Sequence, residues 1–325
     1  MRKKIDIVLL AGFLGAGKTT VLNELILQFH DIKLGMLVND FGEVPVDGTL
    51  LKNDNPEILD KGHKIYEIGN GSIFCSCLKV PFLSGLQYFE KERPDLLFLE
   101  ASGLSDPSSM DKILKEHHLD EAFQIRKTLT LIDPLNYGKL VHVLNVIGRQ
   151  VESADVLLIN KEDMVSSEEM NSVKDNITAL NPDAPVQTGS FGRFDYSFLK
   201  EKGCGHQIFE RESCNTPDSR PASLFLEGSV QDRSCLMEFL ETVEGDIYRL
   251  KGFFELEEKM HYVSDTGRGF SITPVEKSGI KPGLTVLCPG ENSKKVWDLW
   301  KNYRSDTFSV FQGNRGFLGQ LSAIK

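Results

Sequence analysis

The chain has 325 residues, 40% of them apolar and 26% charged, which is enough for a core-bearing domain of about 200 residues and a smaller one. Its 37 basic and 47 acidic residues leave a formal charge of −10, which argues against a nucleic-acid partner or an anionic membrane surface. Six scattered cysteines (75, 77, 204, 214, 235 and 288) lack the dense spacing of a disulfide scaffold, and a reducing cytoplasm is the expected compartment. With no run of 18 apolar residues, no membrane-spanning segment is expected.

"MRKKIDIVLLAGFLGAG" superficially resembles a leader, but Asp6 interrupts the apolar run and Lys18 follows at once. A strand entering a glycine loop explains the same residues better. "KIDIVLLAGFLGAGKTTVLNELILQF" predicts a strand over 5–10, a loop, and a helix from Lys18. The loop reads G-x-x-x-x-G-K-T at Gly12, Gly17, Lys18 and Thr19, the pattern of a phosphate cradle. Glycines let backbone N–H groups curl around phosphate oxygens, and the helix N-terminus adds a favourable field. Lys18 can reach the β- and γ-phosphates, and the Thr19 hydroxyl can take a place on Mg²⁺. Gly15, Ala16 and Thr20 complete the residues expected against the phosphates.

"LGMLVNDFGEVPVDGTLL" predicts a strand over 35–38, then a loop with Asn39, Asp40, Glu43 and Asp47. Acidic loop residues are ordinarily just solvated, but this loop follows the first helix, where P-loop GTPases keep a mobile switch. "GSIFCSCLKVP" then places Cys75 and Cys77 one residue apart. A soft-metal site, a redox or cofactor-contacting pair, and a metal-free structural loop all fit that spacing.

In "RPDLLFLEASGLSDPSSM" residues 96–99 form a buried strand that runs into Glu100 and then Gly103. An acid there can orient a metal's water shell and a glycine N–H can sense a γ-phosphate, an order held by phosphate and released on hydrolysis. The alternative for Glu100 is a solvated strand end. The adjacent His117 and His118 read as a solvated pair on a charged helix, and Asp133, ending "TLTLIDP", reads as structural. "SADVLLINKEDM" closes a strand over 155–159 with Asn160-Lys161-Glu162-Asp163, the N-K-x-D arrangement of GTPases. The Asp163 carboxylate can accept from guanine N1–H and the exocyclic amine, which adenine does not offer, while Asn160 and Lys161 shape the pocket.

The alternation of strands and helices up to about residue 211 predicts an α/β fold: a mostly parallel sheet with helices on both faces, residues 1–211. A polar, proline-bearing linker (212–222) leads to a small C-terminal α+β domain (223–325), with helices from Gln231 to Val243 and from Glu291 to Tyr303. Trp297 and Trp300 are expected in its core.

Together, "GFLGAGKTT", "VNDFGEVPVD", "EIGNGSIFCSC", "LEASGLSDP", "NKED" and "RLKGFF" resemble the CobW family of P-loop GTPases. These are relatives of the GTPases that help mature urease and nickel hydrogenase. The resemblance implies a GTP-hydrolysing metal chaperone or insertase, linked to zinc, cobalt or cobalamin. It implies GTP/GDP and Mg²⁺ as ligands, Zn²⁺ or Co²⁺ at the cysteine site, and Glu43 beside that metal. Family members carry Cys-x-Cys-Cys directly after the glycine, whereas this chain reads Ser72-Ile73-Phe74-Cys75, with Cys77 two places further on. Two thiolates fall short of the three or four ligands of a zinc site, so Glu43 or a histidine would complete the set.

Lys18, with Asp40, Glu43 and Glu100 as alternatives for aligning the attacking water, is the expected catalytic group. The expected partner is a client metalloprotein or a corrinoid-related enzyme, with a homodimer as an allowed assembly. A GTP-dependent module that remodels a partner enzyme without carrying metal is the main rival. A P-loop kinase acting on a small molecule is a second, which the N-K-x-D segment opposes.

Overall fold

The computed structural model describes residues 3–39, 62–68, 79–201, 205–209, 211–214, 221–228, 230, 232–256, 259–275 and 282–304. They form two compact units, one up to residue 214 and one from residue 221.

The first unit is a seven-stranded, wholly parallel sheet in the order β3-β2-β4-β1-β5-β6-β7. The strands are β1 (Ile5–Gly12), β2 (Leu34–Asn39), β3 (Lys64–Ile68), β4 (Leu96–Glu100), β5 (Phe123–Ile132), β6 (Val156–Ile159) and β7 (Val186–Thr188). Continuous apolar runs make β4 and β6 buried along their whole length, as a sheet covered on both faces demands. Between the strands lie α1 (Lys18–Gln28), α2 (Lys79–Glu92), α3 (Met110–Glu116), α4 (Pro134–Leu140), α5 (Asn145–Glu152) and α6 (Ser167–Leu180).

Alternation along each strand divides the core in two. Val8, Leu10, Phe98 and Leu158 pack with Val21, Leu22 and Leu25 of α1 on one face. Ile7, Leu9, Leu97 and Leu99 pack with Phe82, Leu86 and Phe89 of α2 and Met110 of α3 on the other. Each such fully buried side chain contributes about 1.5–3 kcal/mol relative to exposure.

The second unit is a five-stranded antiparallel sheet, order β11-β10-β9-β12-β8, from β8 (Ala222–Leu226), β9 (Arg249–Leu256), β10 (Lys259–Asp265), β11 (Phe270–Pro274) and β12 (Gly283–Cys288). Its apolar cluster joins the strands to α7 (Arg233–Val243) and α8 (Ser293–Tyr303). Trp300 is fully buried there, its Nε1–H donating to the Glu227 carbonyl (2.9 Å), with Phe239 and Phe254 packed edge-on against it. Trp297 is only partly buried, with the Arg304 guanidinium over its ring.

Three expectations shift. The α7 helix begins at Arg233 rather than Gln231, because Asp232 caps it by accepting the Cys235 N–H (2.9 Å). The α8 helix begins at Ser293 rather than Glu291, since Gly290–Asn292 closes as a 3₁₀ turn. The His117-His118 pair lies past α3 rather than on it: His117 caps the helix and His118 takes φ 56°, a left-handed conformation that ends a helix.

Candidate nucleotide-binding site

Because every strand of the first sheet points the same way, the loops after β1, β4, β5, β6 and β7 gather at one edge, where open α/β sheets bind ligands. The loop after β1 begins at Gly12, φ 127°, where a Cβ would sit 2.3 Å from the Leu131 carbonyl oxygen. It ends at Gly17, φ 99°, where a Cβ would sit 2.3 Å from Asn160 Nδ2. Only glycine tolerates both the backbone and the contact. Helix α1 starts immediately, with no side-chain cap and no acidic residue in its first turn, so its opening N–H groups face an anion site without competition.

Lys18 is 7% exposed, and its Nζ donates to the carbonyls of Gly12 (2.9 Å) and Phe13 (3.2 Å). The ammonium is thereby held over the loop whose N–H groups face the same region. Thr19 Oγ1 donates to Glu100 Oε1 at 3.3 Å, tying the helix start to the end of β4. Glu100 is 2% exposed, so it is not a solvated strand end. A hydroxyl and a carboxylate are hard oxygen donors, the set Mg²⁺ prefers, and their proximity fits such an ion. Gly103 follows β4, and its carbonyl accepts from Gln150 Nε2 (3.1 Å).

The N-K-x-D segment sits one loop over. Asn160, 3% exposed, donates from Nδ2 to the Ala16 carbonyl (3.0 Å), and its Oδ1 accepts the Gly192 N–H (3.2 Å). One side chain thus joins the loops after β1, β6 and β7. Lys161 adopts φ 60°, ψ 35°, and its Nζ bonds Asp133 Oδ2 at 2.7 Å. Asp133 is 5% exposed and also accepts from the Leu135 N–H and the Asn136 amide. Its partners are the turn that follows it and the ammonium of Lys161. Asp163 is exposed; the Ser190 hydroxyl donates to its Oδ1 while its own N–H donates to Ser190 Oγ (3.2 Å). A capping box between Ser166 and Glu169, worth about 1 kcal/mol, anchors α6 directly behind this turn.

The loop after β7, "GSFGR", was not singled out by motif reading. Ser190 orients the Asp163 carboxylate, Gly192 is bound to Asn160 and receives the buried Tyr196 hydroxyl on its carbonyl (2.6 Å), and Phe191 is 65% exposed at φ 57°. Its available signal was position: a small-residue loop closing the strand beside the N-K-x-D strand.

Gly12, Gly15, Ala16, Gly17, Lys18, Thr19 and Thr20 are therefore brought to one sheet edge with Glu100, Gly103, Asn160, Lys161 and Asp163. Asp40, Glu43, Cys75 and Cys77 lie outside the described residues. Among the described residues, no group of three or more His, Cys, Asp or Glu side chains is arranged to hold a metal ion. Burial, with Asp106 beside it, pushes the Cys214 thiol up to about 12, and burial does the same to Cys288.

A central parallel sheet with this loop, this acid and this N-K-x-D turn is the architecture of a P-loop GTPase. Residues 6–188 match the CobW/HypB/UreG nucleotide-binding domain, and the chain belongs to that family. It is 30% identical over 243 residues to the zinc chaperone YjiA of Escherichia coli (strain K12), covering 73% of this chain and 72% of that one. It is 25% identical over 296 residues to the zinc chaperone CobW of a Sinorhizobium species, covering 79% and 83%. To zinc-regulated GTPase metalloprotein activator 1 of Dictyostelium discoideum it is 26% identical over 213 residues, 56% of this chain and 45% of that relative.

Proposed function

We propose that the protein is a GTP-hydrolysing switch that delivers a metal ion or metal cofactor to a client metalloprotein. The observation that carries this reading is the meeting of Lys18, Thr19 and Glu100 with Asn160 and the Asp163–Ser190 pair at one sheet edge. The zinc-chaperone names of its relatives support a metal as cargo.

The phosphates take the N–H groups of the Gly12–Thr20 segment, and Lys18 exchanges its two carbonyl acceptors for β- and γ-phosphate oxygens. Thr19 would hold Mg²⁺ directly and Glu100 through its water shell; when bound, the ion supplies charge neutralisation at the γ-phosphate. Asp163 reads guanine, Asn160 keeps the base loop and the phosphate loop in register, and Lys161 flanks the base, fixed by Asp133. Gly103 N–H senses the γ-phosphate. Hydrolysis is then positioning plus electrostatics, with Asp40, Glu43 or Glu100 aligning the water.

We assign the cargo site to Cys75, Cys77 and Glu43, with Zn²⁺ or Co²⁺ as the ion, and place the protein in the cytoplasm. No helix among the described residues is long and apolar enough to cross a membrane. The reading keeps two domains close to the expected 1–211 and 223–325, with 212–214 going to the first, where Cys214 bonds Asp106, and Ala222 to the second, where it opens β8; a homodimer is an allowed assembly. The departure at Ser72 and Phe74 favours one second reading: a GTP-dependent module that remodels a partner, such as a corrinoid-dependent enzyme, without carrying metal. Anaerobic titration of the GTP-bound, tag-free protein with Zn²⁺ and Co²⁺ separates the two. Stoichiometric binding lost on replacing both Cys75 and Cys77 by serine supports the chaperone, and its absence supports the module.

A further inference from the structure

The loop after β4 is held from two sides, by Gln150 from outside every nucleotide motif and by Asp106 from within the LEASGLSDP stretch itself. Gln150, on α5 and 1% exposed, donates from Nε2 to the carbonyls of both Gly103 (3.1 Å) and Ser105 (2.9 Å). Asp106, 0% exposed, accepts on Oδ1 from the Ser108 N–H (3.1 Å) and hydroxyl (2.6 Å). Its Oδ2 accepts the N–H of Cys214 at 2.8 Å.

Cys214 closes a stretch, 205–209 and 211–214 among the described residues, that is bonded along α3 and α5. His206 lies between Asp155 (2.6 Å) and Asp111 (3.1 Å). The Phe209 N–H donates to Asp111 (3.0 Å), and Arg211 pairs with Glu152 (2.8 Å). The bond to Asp106 is therefore a point at which this stretch touches the segment just beyond Gly103.

Shifting Gly103 displaces a carbonyl that a buried amide holds. The same loop, three residues on, carries a buried carboxylate with both oxygens committed. Breaking such bonds without replacement leaves buried polar atoms unsatisfied, so the loop and its holders move as discrete sets rather than deforming gradually.

We propose that Gln150 and Asp106 are positioning residues for the Gly103 loop, and that Asp106 makes the 205–214 segment respond to the nucleotide. Movement of Gly103 toward a γ-phosphate shifts Asp106, and Asp106 tightens or releases the Cys214 N–H. The inference rests on the reading of Gly103 as γ-phosphate sensor.

Amide hydrogen exchange on the full chain with Mg²⁺, loaded with GDP or with a non-hydrolysable GTP analogue, tests it by reading 101–106 and 205–214 separately. Both segments are expected to change exchange rate several-fold between the two states. Gln150→Met keeps an unbranched side chain but removes the donor; it should abolish the response of 205–214 and lower kcat about tenfold, with GDP affinity within about threefold. Cys214→Pro deletes the N–H that Asp106 receives together with the thiol that also bonds it, and should abolish the 205–214 response with kcat within about twofold; Cys214→Ala, which keeps the N–H, should retain the response. If 101–106 responds and 205–214 does not, the coupling is wrong while the sensor reading stands. If Gln150→Met weakens GDP and GTP alike at unchanged kcat, Gln150 is merely structural and its positioning role falls. If neither segment responds in a wild-type protein that hydrolyses GTP, the sensor reading fails and the inference falls with it. Should Gln150→Met not fold, Cys214→Pro still decides the coupling of 205–214, and Gln150→Glu, which keeps the length and loses the donor, decides the positioning role by the same kcat readout.

Discussion

Lys18 has two carbonyl acceptors within its own loop, so the ammonium reaches phosphate by exchanging partners rather than by unfolding anything. Lys18→Ala should leave the thermal transition nearly in place. It should weaken nucleotide binding and lower phosphate release by about 10²–10³-fold, the scale of losing one charge-stabilising donor at a transition state. Asp163 offers a carboxylate already oriented by Ser190. Asp163→Asn should shift preference from GTP toward xanthosine triphosphate, because an amide can donate to the xanthine oxygen. Ser190→Ala should cost about 1 kcal/mol in GTP affinity, a five- to tenfold rise in Kd by calorimetry, with guanine still preferred. A GTP-to-xanthosine preference that does not move in Asp163→Asn would remove Asn160–Asp163 from the base pocket.

Among elements, the stretch bearing His206 has its own pH signature. Burial alone would lower its pKa, but hydrogen bonds and charge from Asp111 and Asp155 outweigh burial and raise it from 6.5 to about 9. A folded-state pKa above the unfolded one stabilises fully below pH 6.5 and loses that contribution as pH rises through about 9. Melting temperature should therefore fall between these limits, and His206→Gln should flatten that part of the profile; a profile unchanged by the substitution would show that the imidazolium is not formed. The strands β1, β4 and β6 were legible because sheets covered on both faces need unbroken apolar runs, and the loops at their ends carry side chains whose spacing encodes their chemistry. The contributions of Gln150, Ser190, Asp106 and Asp133 were not legible in the same way. Each acts through hydrogen bonds to residues 27 to 108 positions away, and such pairings leave no periodicity and no spacing. The α7 and α8 starts were misplaced by two residues because cap and 3₁₀ geometry, not hydrophobic period, decides where a helix begins.

For the molecule as a whole, delivery of a metal requires that the ion and the nucleotide each sense the other. Thiolate ligands make ion binding weaken as pH falls. If the Cys75–Cys77 site and the γ-phosphate site are coupled, metal affinity in the GTP and GDP states should differ by about 5–150-fold, with the reciprocal effect on nucleotide affinity. Cys75→Ser and Cys77→Ser should each erase that difference and leave basal GTP binding intact. Equal affinities in the two states, measured by competition with a chelating dye, would exclude a nucleotide-driven release.

The two sheets also set an order of birth. The first sheet has its last strand in hand at Thr188, and every pairing in it uses residues already made by then. The second cannot close early: among the described residues β8 pairs only with β12, so Ala222 waits for Cys288, 66 residues later. At about 5–20 residues per second, the ribosome takes on the order of ten seconds to pass from β7 to β12. For most of that interval, once the loop after β7 has followed with Ser190 and Gly192, the nascent protein carries the residues of its nucleotide site and an unfinished second sheet. Cellular GTP, present throughout, would bind and stabilise the first domain while β8 is still an unpaired strand.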